Sequence, residues 1–246
     1  MHDAAITTLQ LAAARAWPAP ICRPLGDWWL RSAEGFTGRG NSALPIGDPG
    51  LPLDQALDQV ETFYRELGFR PAVEVPLPLR SDVRAALRDR GWQVQTMVYV
   101  QSTKLLPLVA ATPAGAEFDL LETPSDEHLR MIRESRRMLP GAAMHLLTGV
   151  RPVVFAECRR DDELVCRARG SVTDGWLGLI GIETAASAQR QGLATAAVGR
   201  LARWALDHGA TDAFLQVDHV NTGAQRVYHR LGFRTHHTYE RYAPAD

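Results

Sequence analysis

Residues 189–195, Gln-Arg-Gln-Gly-Leu-Ala-Thr, combine small residues at tight positions with one full positive charge. They stand between an apolar strand pattern over 176–184 and an amphipathic helix pattern over 193–208. A loop opening directly into a helix leaves several backbone N–H groups unpaired at the positive end of the helix dipole. With Arg190 beside them, those donors make a site for a pyrophosphate or similar anion. Downstream come Asn221 and the run 228–233, Tyr-His-Arg-Leu-Gly-Phe. A phenol within hydrogen-bond reach of a reacting centre stabilises a developing anion and then supplies a proton. Each residue also has a plainer reading. Gly-x-Ala before a helix is a common turn, Tyr228 near Phe233 suits core packing, and Asn221 is a natural cap for a helix over 222–231.

The elements that must position these residues follow from periodicity. A strand over 118–121 leads to a helix capped by Ser125, with Glu127 and His128 in its first turn and Leu129, Ile132 and Met138 at apolar positions. Residues 151–159 and 163–172 alternate as a hairpin, with Asp161 and Asp162 at the turn. After the strand at 176–184 and the loop, the helix places Leu193, Ala197, Leu201 and Leu206 on one side and stops at His208-Gly209. A strand over 213–217, a short helix over 223–231 and a strand over 234–242 complete the order. The strand–helix–strand unit is expected to be parallel and the preceding hairpin antiparallel, in a mixed sheet with helices on both faces.

The first half reads as helix 4–17, strands 28–31 and 41–45, helix 53–67, strand 72–76, helix 81–90 and strand 93–101. Residues 64–69, Tyr-Arg-Glu-Leu-Gly-Phe, echo 228–233, which is consistent with an internal duplication or with a shared helix ending. Residues 105–117, rich in Pro, Gly and Ala, suit a linker. The expected division is 1–104, 105–117 and 118–246. The glycine-rich stretch 35–42 has no helix pattern after it and reads as a tight hairpin, not a nucleotide loop. Trp29, Arg31, Arg39 and Asn41 gather near that turn, where they would suit an acceptor-recognition surface.

Composition narrows the function classes. Among 246 residues the formal net charge is −1, which gives no case for nucleic-acid or membrane-surface binding. No apolar run reaches the length of a membrane span and no secretory leader pattern is present, so a cytoplasmic location is expected. Cys22, Cys158 and Cys166 are odd in number, lack metal-ligand spacing, and read as reduced thiols. No metal site is expected.

Residues 116–246 resemble the GNAT acetyltransferase superfamily. The resemblance rests on the strand–loop–helix over 182–195, whose Gln-x-x-Gly-x-Ala fits the family's Arg/Gln-x-x-Gly-x-Gly/Ala loop. It rests equally on Asn221 followed by Tyr-x-x-x-Gly-Phe from Tyr228. The whole chain is similar to an actinobacterial-type group of GNAT proteins with a degenerate first half. The implied fold is α/β, a mixed, mostly antiparallel sheet flanked by helices, in two GNAT-like halves: a degenerate N-terminal domain and an acetyl-coenzyme A-binding domain over 118–246.

By the same resemblance, the loop Gln189, Arg190, Gln191, Gly192, Leu193, Ala194 and Thr195 would hold the pyrophosphate of acetyl-coenzyme A. The backbone of Ile182 and Thr184, on a strand splayed from its neighbour, would pair with the pantetheine arm, and Asn221 would hydrogen-bond it. Tyr228 would protonate the leaving thiolate. Glu183 is the first candidate for general base, although strand alternation turns it away from Ile182 and Thr184 unless a bulge re-aims it. Asp218 and His219 come next, His236 and His237 read as exposed strand residues, and Gly178 stands where some relatives carry a catalytic glutamate. The implied activity is acetyl transfer to a primary amine, small molecule or peptide, by direct attack in a ternary complex. The rival is a non-catalytic acyl-coenzyme A sensor or interaction module. A monomer or homodimer is expected, without nucleic acid or membrane.

Overall fold

The computed structural model describes residues 2–112 and 116–245. In chain order the elements begin α1 (His2–Ala16), β1 (Ile21–Leu25), β2 (Trp28–Ser32), β3 (Ala43–Leu44), α2 (Leu53–Glu66), β4 (Val73–Leu77), α3 (Ser81–Asp89) and β5 (Gln93–Lys104). Next come α4 (Leu105–Ala111), β6 (Asp119–Leu121), α5 (Asp126–Arg136), α6 (Ala142–Thr148), β7 (Val153–Arg160) and β8 (Glu163–Thr173). The chain ends with β9 (Trp176–Thr184), α7 (Leu193–Asp207), β10 (Asp212–Asp218), α8 (Thr222–Arg230) and β11 (Arg234–Ala243).

These elements form two units. The first holds the residues up to Tyr99 with Pro140–Gly149 and the chain from His237; the second holds Val100–Leu139 and Val150–His236. In the first unit β1, β2 and β3 are successive antiparallel neighbours, β3 meets β4 in parallel, and β11 lies antiparallel to β4 from Thr238↔Leu77 to Tyr242↔Val73. Helices α2 and α3 bury Leu57, Val60, Val83 and Leu87 with Val73 and Val75 of β4 in one core. The expected single domain over 118–246 therefore differs from the units found. Residues 140–149 and the end of β11 belong with the N-terminal sheet, because strand partners are chosen by contacts remote in sequence. His237, expected on an exposed face, is buried there.

In the second unit β6, β7, β8 and β9 are antiparallel neighbours and β10 joins β9 in parallel. The β7–β8 turn carries Asp161 at φ 49 and Asp162 at φ 63, the pair of left-handed residues that closes a tight hairpin with the right twist. Helix α7 buries Leu193, Ala197, Val198, Leu201 and Ala205 on β8 and β9. Each unit is thus a mixed, mostly antiparallel sheet with flanking helices.

The expected linker is in part helix α4. Leu105 and Leu108, one turn apart, are fully buried, worth roughly 2 kcal/mol each in removed apolar surface. Pro107 falls in the first turn, where its missing N–H costs no helix bond. Just beyond α4, Thr112 lies so close to Gly199 of α7 that a Cβ there would meet its side chain at 2.5 Å. Residues 113–115 of the expected linker lie outside the described residues.

The echo between 64–69 and 228–233 has a local cause. In α2, Phe69 N–H donates to Tyr64 O (2.9 Å) and Gly68 N–H to Arg65 O (3.0 Å). In α8, Phe233 donates to Tyr228 O (3.0 Å) and Gly232 to His229 O (3.1 Å). This is one helix-ending motif with a left-handed glycine. It recurs at Gly91 after α3 and Gly209 after α7, where no Tyr-x-x-Leu-Gly-Phe is present. The echo follows from capping chemistry and needs no duplication.

Near the glycine-rich turn, the residues offered as an acceptor surface are structural. Arg31 is buried and donates to Ser42 O (3.0 Å), Ser42 Oγ (3.1 Å) and Glu74 Oε2 (3.2 Å). Asn41 accepts from the N–H groups of Ala33 and Gly35 and donates to the carbonyls of Phe36 and Thr37, closing the loop on itself. It ends a 3-10 turn at Arg39–Asn41 instead of opening the expected strand. Arg39 lies over the Trp17 ring at 5.8 Å and Arg15 over the Trp29 ring at 5.9 Å.

Candidate active site in the second unit

The loop at 189–195 has the geometry its composition predicts. After a 3-10 turn at Ala186–Ala188, Arg190 takes φ 62 and Gly192 φ 81, so the chain turns sharply into α7. No side chain caps this helix. The first rung of its ladder is Ala196 N–H to Gly192 O at 3.0 Å, which leaves the N–H groups of Leu193, Ala194 and Thr195 outside the ladder. Gln189 Nε2 donates to Thr184 O (3.3 Å), and Gln191 spans Ser187 O (3.3 Å) and the Arg160 guanidinium, which tie down the loop's flank.

The strand before the loop is splayed. β9 and β10 pair only from Trp176↔Asp212 to Leu179↔Leu215, so Ile180 to Thr184 continue without a β10 partner. Ala185 N–H donates to Val165 O of β8 (2.9 Å). Alternation therefore turns the N–H and C=O of Ile182 and Thr184 toward the side that β10 has left.

A cleft of about 930 Å³ runs beside this edge. Thr184, Gln189, Arg190, Gly192, Leu193, Ala194 and Thr195 form one wall. Asn221, Gly223, Ala224, Arg226, Val227 and Arg230 of the α8 segment form the other. Asn221 Oδ1 caps α8 by accepting from Ala224 N–H (3.1 Å), while its Nδ2 has no hydrogen bond among the described residues. The cap reading and the ligand reading thus use different atoms. Ile182 and Gln191 are not in these walls. Arg226 and Arg230 were missed; their signal was a pair of bases at i and i+4 directly after Asn221.

Tyr228, between the lining residues Val227 and Arg230, does not itself line the cleft; it is partly buried, with its ring edge-on to Phe233 at 6.0 Å. Burial alone pushes its phenol up to about 12. It remains a neutral proton donor throughout the working pH range.

A bulge stands just before Glu183 but does not turn it toward the glycine loop. Arg167 pairs with Glu183 and Arg169 with Ile180, so Gly181 and Ile182 together oppose Ala168. Gly181 takes φ 66, and its carbonyl accepts from Arg167 Nη1 (3.2 Å). Glu183 Oε2 accepts from the buried Arg167 guanidinium and from Ser135 Oγ (3.3 Å), and Oε1 has no hydrogen bond among the described residues. Glu183 does not line the cleft of the glycine loop. It lines a second one of about 750 Å³ with Glu127, Glu134, Asp162 and Glu163 against Arg130 alone. The two clefts share Thr184 and Gln189. One is lined by three arginines and no carboxylate, the other by five carboxylates and one arginine. Asp218 and His219 line neither; they pair with each other at 3.1 Å, and Gln225 of α8 donates to both their carbonyls.

Helix α5, a wall of the acidic cleft, is docked by one buried carboxylate. Ser125 caps the helix by accepting from His128 N–H (3.1 Å). Fully buried Glu157 of β7 accepts from Ser125 N–H (3.1 Å) and Arg159 Nη1 (2.8 Å), with His128 Nδ1 at 3.2 Å. Burial raises the Glu157 carboxyl, but these donors together outweigh it and bring it down to about 2. Burial lowers His128, which stays neutral. The expected turn at Met138 does not form, since α5 ends at Arg136 with Arg137 left-handed.

A depressed carboxylate stabilises the fold above its ordinary value and loses that contribution as pH falls toward the folded value. Glu157 should therefore contribute fully above pH 4.5 and lose its effect between there and about 2. Glu157→Ala leaves Ser125 N–H and His128 Nδ1 without their acceptor, while Arg159 keeps Glu127 at 3.1 Å, and should cost about 1–3 kcal/mol, read from urea unfolding at pH 7. Glu157→Gln should cost less and flatten the acid limb of stability against pH. A variant as stable as wild type would show that this carboxylate does not dock α5.

No helix among the described residues is long and apolar enough to cross a membrane, and no group of His, Cys, Asp or Glu among them would hold a metal ion.

The family model described as the C-terminal part of probable histone acetyltransferase Rv0428c matches residues 3–243. Probable histone acetyltransferase Rv0428c of Mycobacterium tuberculosis is 30% identical over 260 residues, covering 100% of this chain and 76% of that protein. An uncharacterized N-acetyltransferase of Bacillus subtilis, YobR, is 26% identical over 235 residues, 93% of this chain and 94% of its own. Among solved structures, a GCN5-related N-acetyltransferase from Kribbella flavida matches with a TM-score of 0.71 at 16% identity, covering 100% of this chain and 96% of that one. A tandem GNAT protein from the clavulanic acid biosynthesis pathway matches with a TM-score of 0.63 at 14% identity, over 98% and 89%. At such identities the structures speak for the fold, a GNAT fold that includes tandem forms. The chain belongs to the family of the Rv0428c C-terminal region, within the GNAT N-acetyltransferase superfamily.

Proposed function

We propose that the second unit binds acetyl-coenzyme A in the arginine-lined cleft and transfers its acetyl group to a cationic primary amine entering from the acidic cleft. The observation that carries this reading is that two clefts of opposite charge share Thr184 and Gln189 in their linings. The amides of Leu193, Ala194 and Thr195, with Arg190, hold the pyrophosphate. The outward backbone of Ile182 and Thr184 pairs with the pantetheine amides as a further strand would, and Asn221 Nδ2 donates to the same arm.

Bound acetyl-coenzyme A supplies an activated thioester. Glu183 Oε1, or a water it holds, takes a proton from the ammonium so that the free amine attacks the carbonyl carbon. As the C–S bond breaks, the Tyr228 O–H donates to the sulfur, and the proton that the nitrogen sheds on becoming an amide passes through water to restore the phenol. The balance is one amide, one thiol and one proton, released by Glu183 to solvent, from one thioester and one ammonium. A basic peptide acceptor would accord with the histone named for the Mycobacterium tuberculosis relative.

A second reading, a non-catalytic acyl-coenzyme A sensor, is favoured by one feature: among the described residues no carboxylate or histidine lines the donor cleft. Free-thiol release over a panel of amines separates the two. Polyamines and lysine-rich peptides should turn over, and neutral or anionic amines should be slower by about ten-fold or more. Coenzyme binding without amine-dependent release from any acceptor would favour the sensor. Equal rates for cationic and anionic amines would remove the acidic cleft from the acceptor site.

A further inference from the structure

Arg226 and Arg230 lie one turn apart on α8, across the cleft from the glycine loop. They also line a shallower depression of about 560 Å³ with Gln101, Thr222, Gln225 and His229. Among the described residues no carboxylate lines either hollow. Several other arginines find acids, among them Arg31 with Glu74, Arg84 with Glu240, Arg90 with Asp54 and Asp58, Arg159 with Glu157 and Arg167 with Glu183, whereas exposed ones such as Arg133 and Arg200 do not. Among the described residues Arg226 is steadied only by Thr222, through its carbonyl (3.2 Å) and hydroxyl (3.5 Å). Arg230 makes no hydrogen bond or ion pair among the described residues, and neither does Arg190.

A cation in the last turn of a helix is favoured by the helix dipole, which accounts for Arg230 standing there. It does not account for Arg226 a turn earlier, nor for the lack of acids around both hollows. Two unneutralised guanidiniums on one helix face suit a phosphate dianion. The pyrophosphate already has the loop amides and Arg190, so a third phosphate is the group left to satisfy. Coenzyme A carries one, on the ribose 3′ oxygen. We propose that Arg226 and Arg230 form the 3′-phosphate subsite of the donor cleft, with the adenosine lying toward the depression they share, and that they select coenzyme A over its 3′-dephospho form. This rests on the donor-binding reading above.

Calorimetry with coenzyme A and with 3′-dephospho-coenzyme A tests it. Wild type should prefer coenzyme A by about ten-fold or more, a preference that shrinks as salt rises. The Arg226→Gln/Arg230→Gln pair should erase the preference, with an unchanged melting temperature showing that the exposed side chains carry no fold. Arg190→Gln should weaken both ligands alike and keep their ratio. Equal wild-type affinities, or a preference surviving in the double variant, overturn the subsite while donor binding stands. If neither ligand binds wild type, the donor reading itself fails and the subsite fails with it.

Discussion

Gly192→Val should lower acetyl-coenzyme A affinity at least ~100-fold while the protein still folds, by calorimetry alongside a melting curve. Gly192 takes φ 81 with nothing within 4 Å of where a Cβ would stand. The substitution therefore meets no steric wall, and its cost is in the backbone. A β-branched residue in the left-handed region is strained by about 1–3 kcal/mol, and the chain relieves that strain by leaving the turn. The N–H groups of Leu193, Ala194 and Thr195 then no longer converge, and the added side chain stands over the anion position. Gly192→Ala should be milder, with strain near ~1 kcal/mol and a smaller loss of affinity. Coenzyme affinity at the wild-type level in the valine variant would remove the loop from the donor site.

Tyr228→Phe is expected to lower kcat by roughly 100-fold and to leave coenzyme affinity within about two-fold, because the hydroxyl acts only as the C–S bond breaks. The ring and its edge-on contact with Phe233 remain, so the melting temperature should hold. The pH profile tells an acid from a packing residue. A phenol raised to about 12 keeps its proton through any practical assay, so the variant should be slower by the same factor from about pH 6 to 10. An unaltered kcat would make Tyr228 a packing residue. An alkaline limb present in wild type and missing from the variant would contradict a buried neutral phenol.

Much of the second unit was legible because its signals are local. Ser125 and Asn221 were readable as helix caps, Asp161-Asp162 as a hairpin turn and Gly209 and Gly232 as helix endings, since each depends on residues within a turn of itself. Strand β1 was missed because Ile21–Leu25 shows no alternation and contains Pro24; its pairing with β2 makes it a strand. Helix α6 was missed because seven residues are too few for a period, and buried Ala143, Leu146 and Leu147 hold it by packing. Helix α4 was read as a linker because Pro107 looks like a breaker unless the helix is known to begin at Leu105.

The candidate site divides in the same way. By itself the sequence determined the turn into α7: a left-handed glycine, small residues and an uncapped helix start are set by neighbours along the chain, so the turn at Gly192 could be read directly. Only the tertiary structure decided the charges that surround it. At the bulge, Arg167 of the adjoining strand holds the Gly181 carbonyl and pairs with Glu183, which lines the acidic cleft. Glu127, Asp162 and Glu183 meet there from three separate elements, and Arg190 faces Arg226 and Arg230 only because α8 packs opposite the loop. Periodicity reports which face of an element is buried, whereas the field inside a cleft is a sum over side chains that only folding brings within reach of one another.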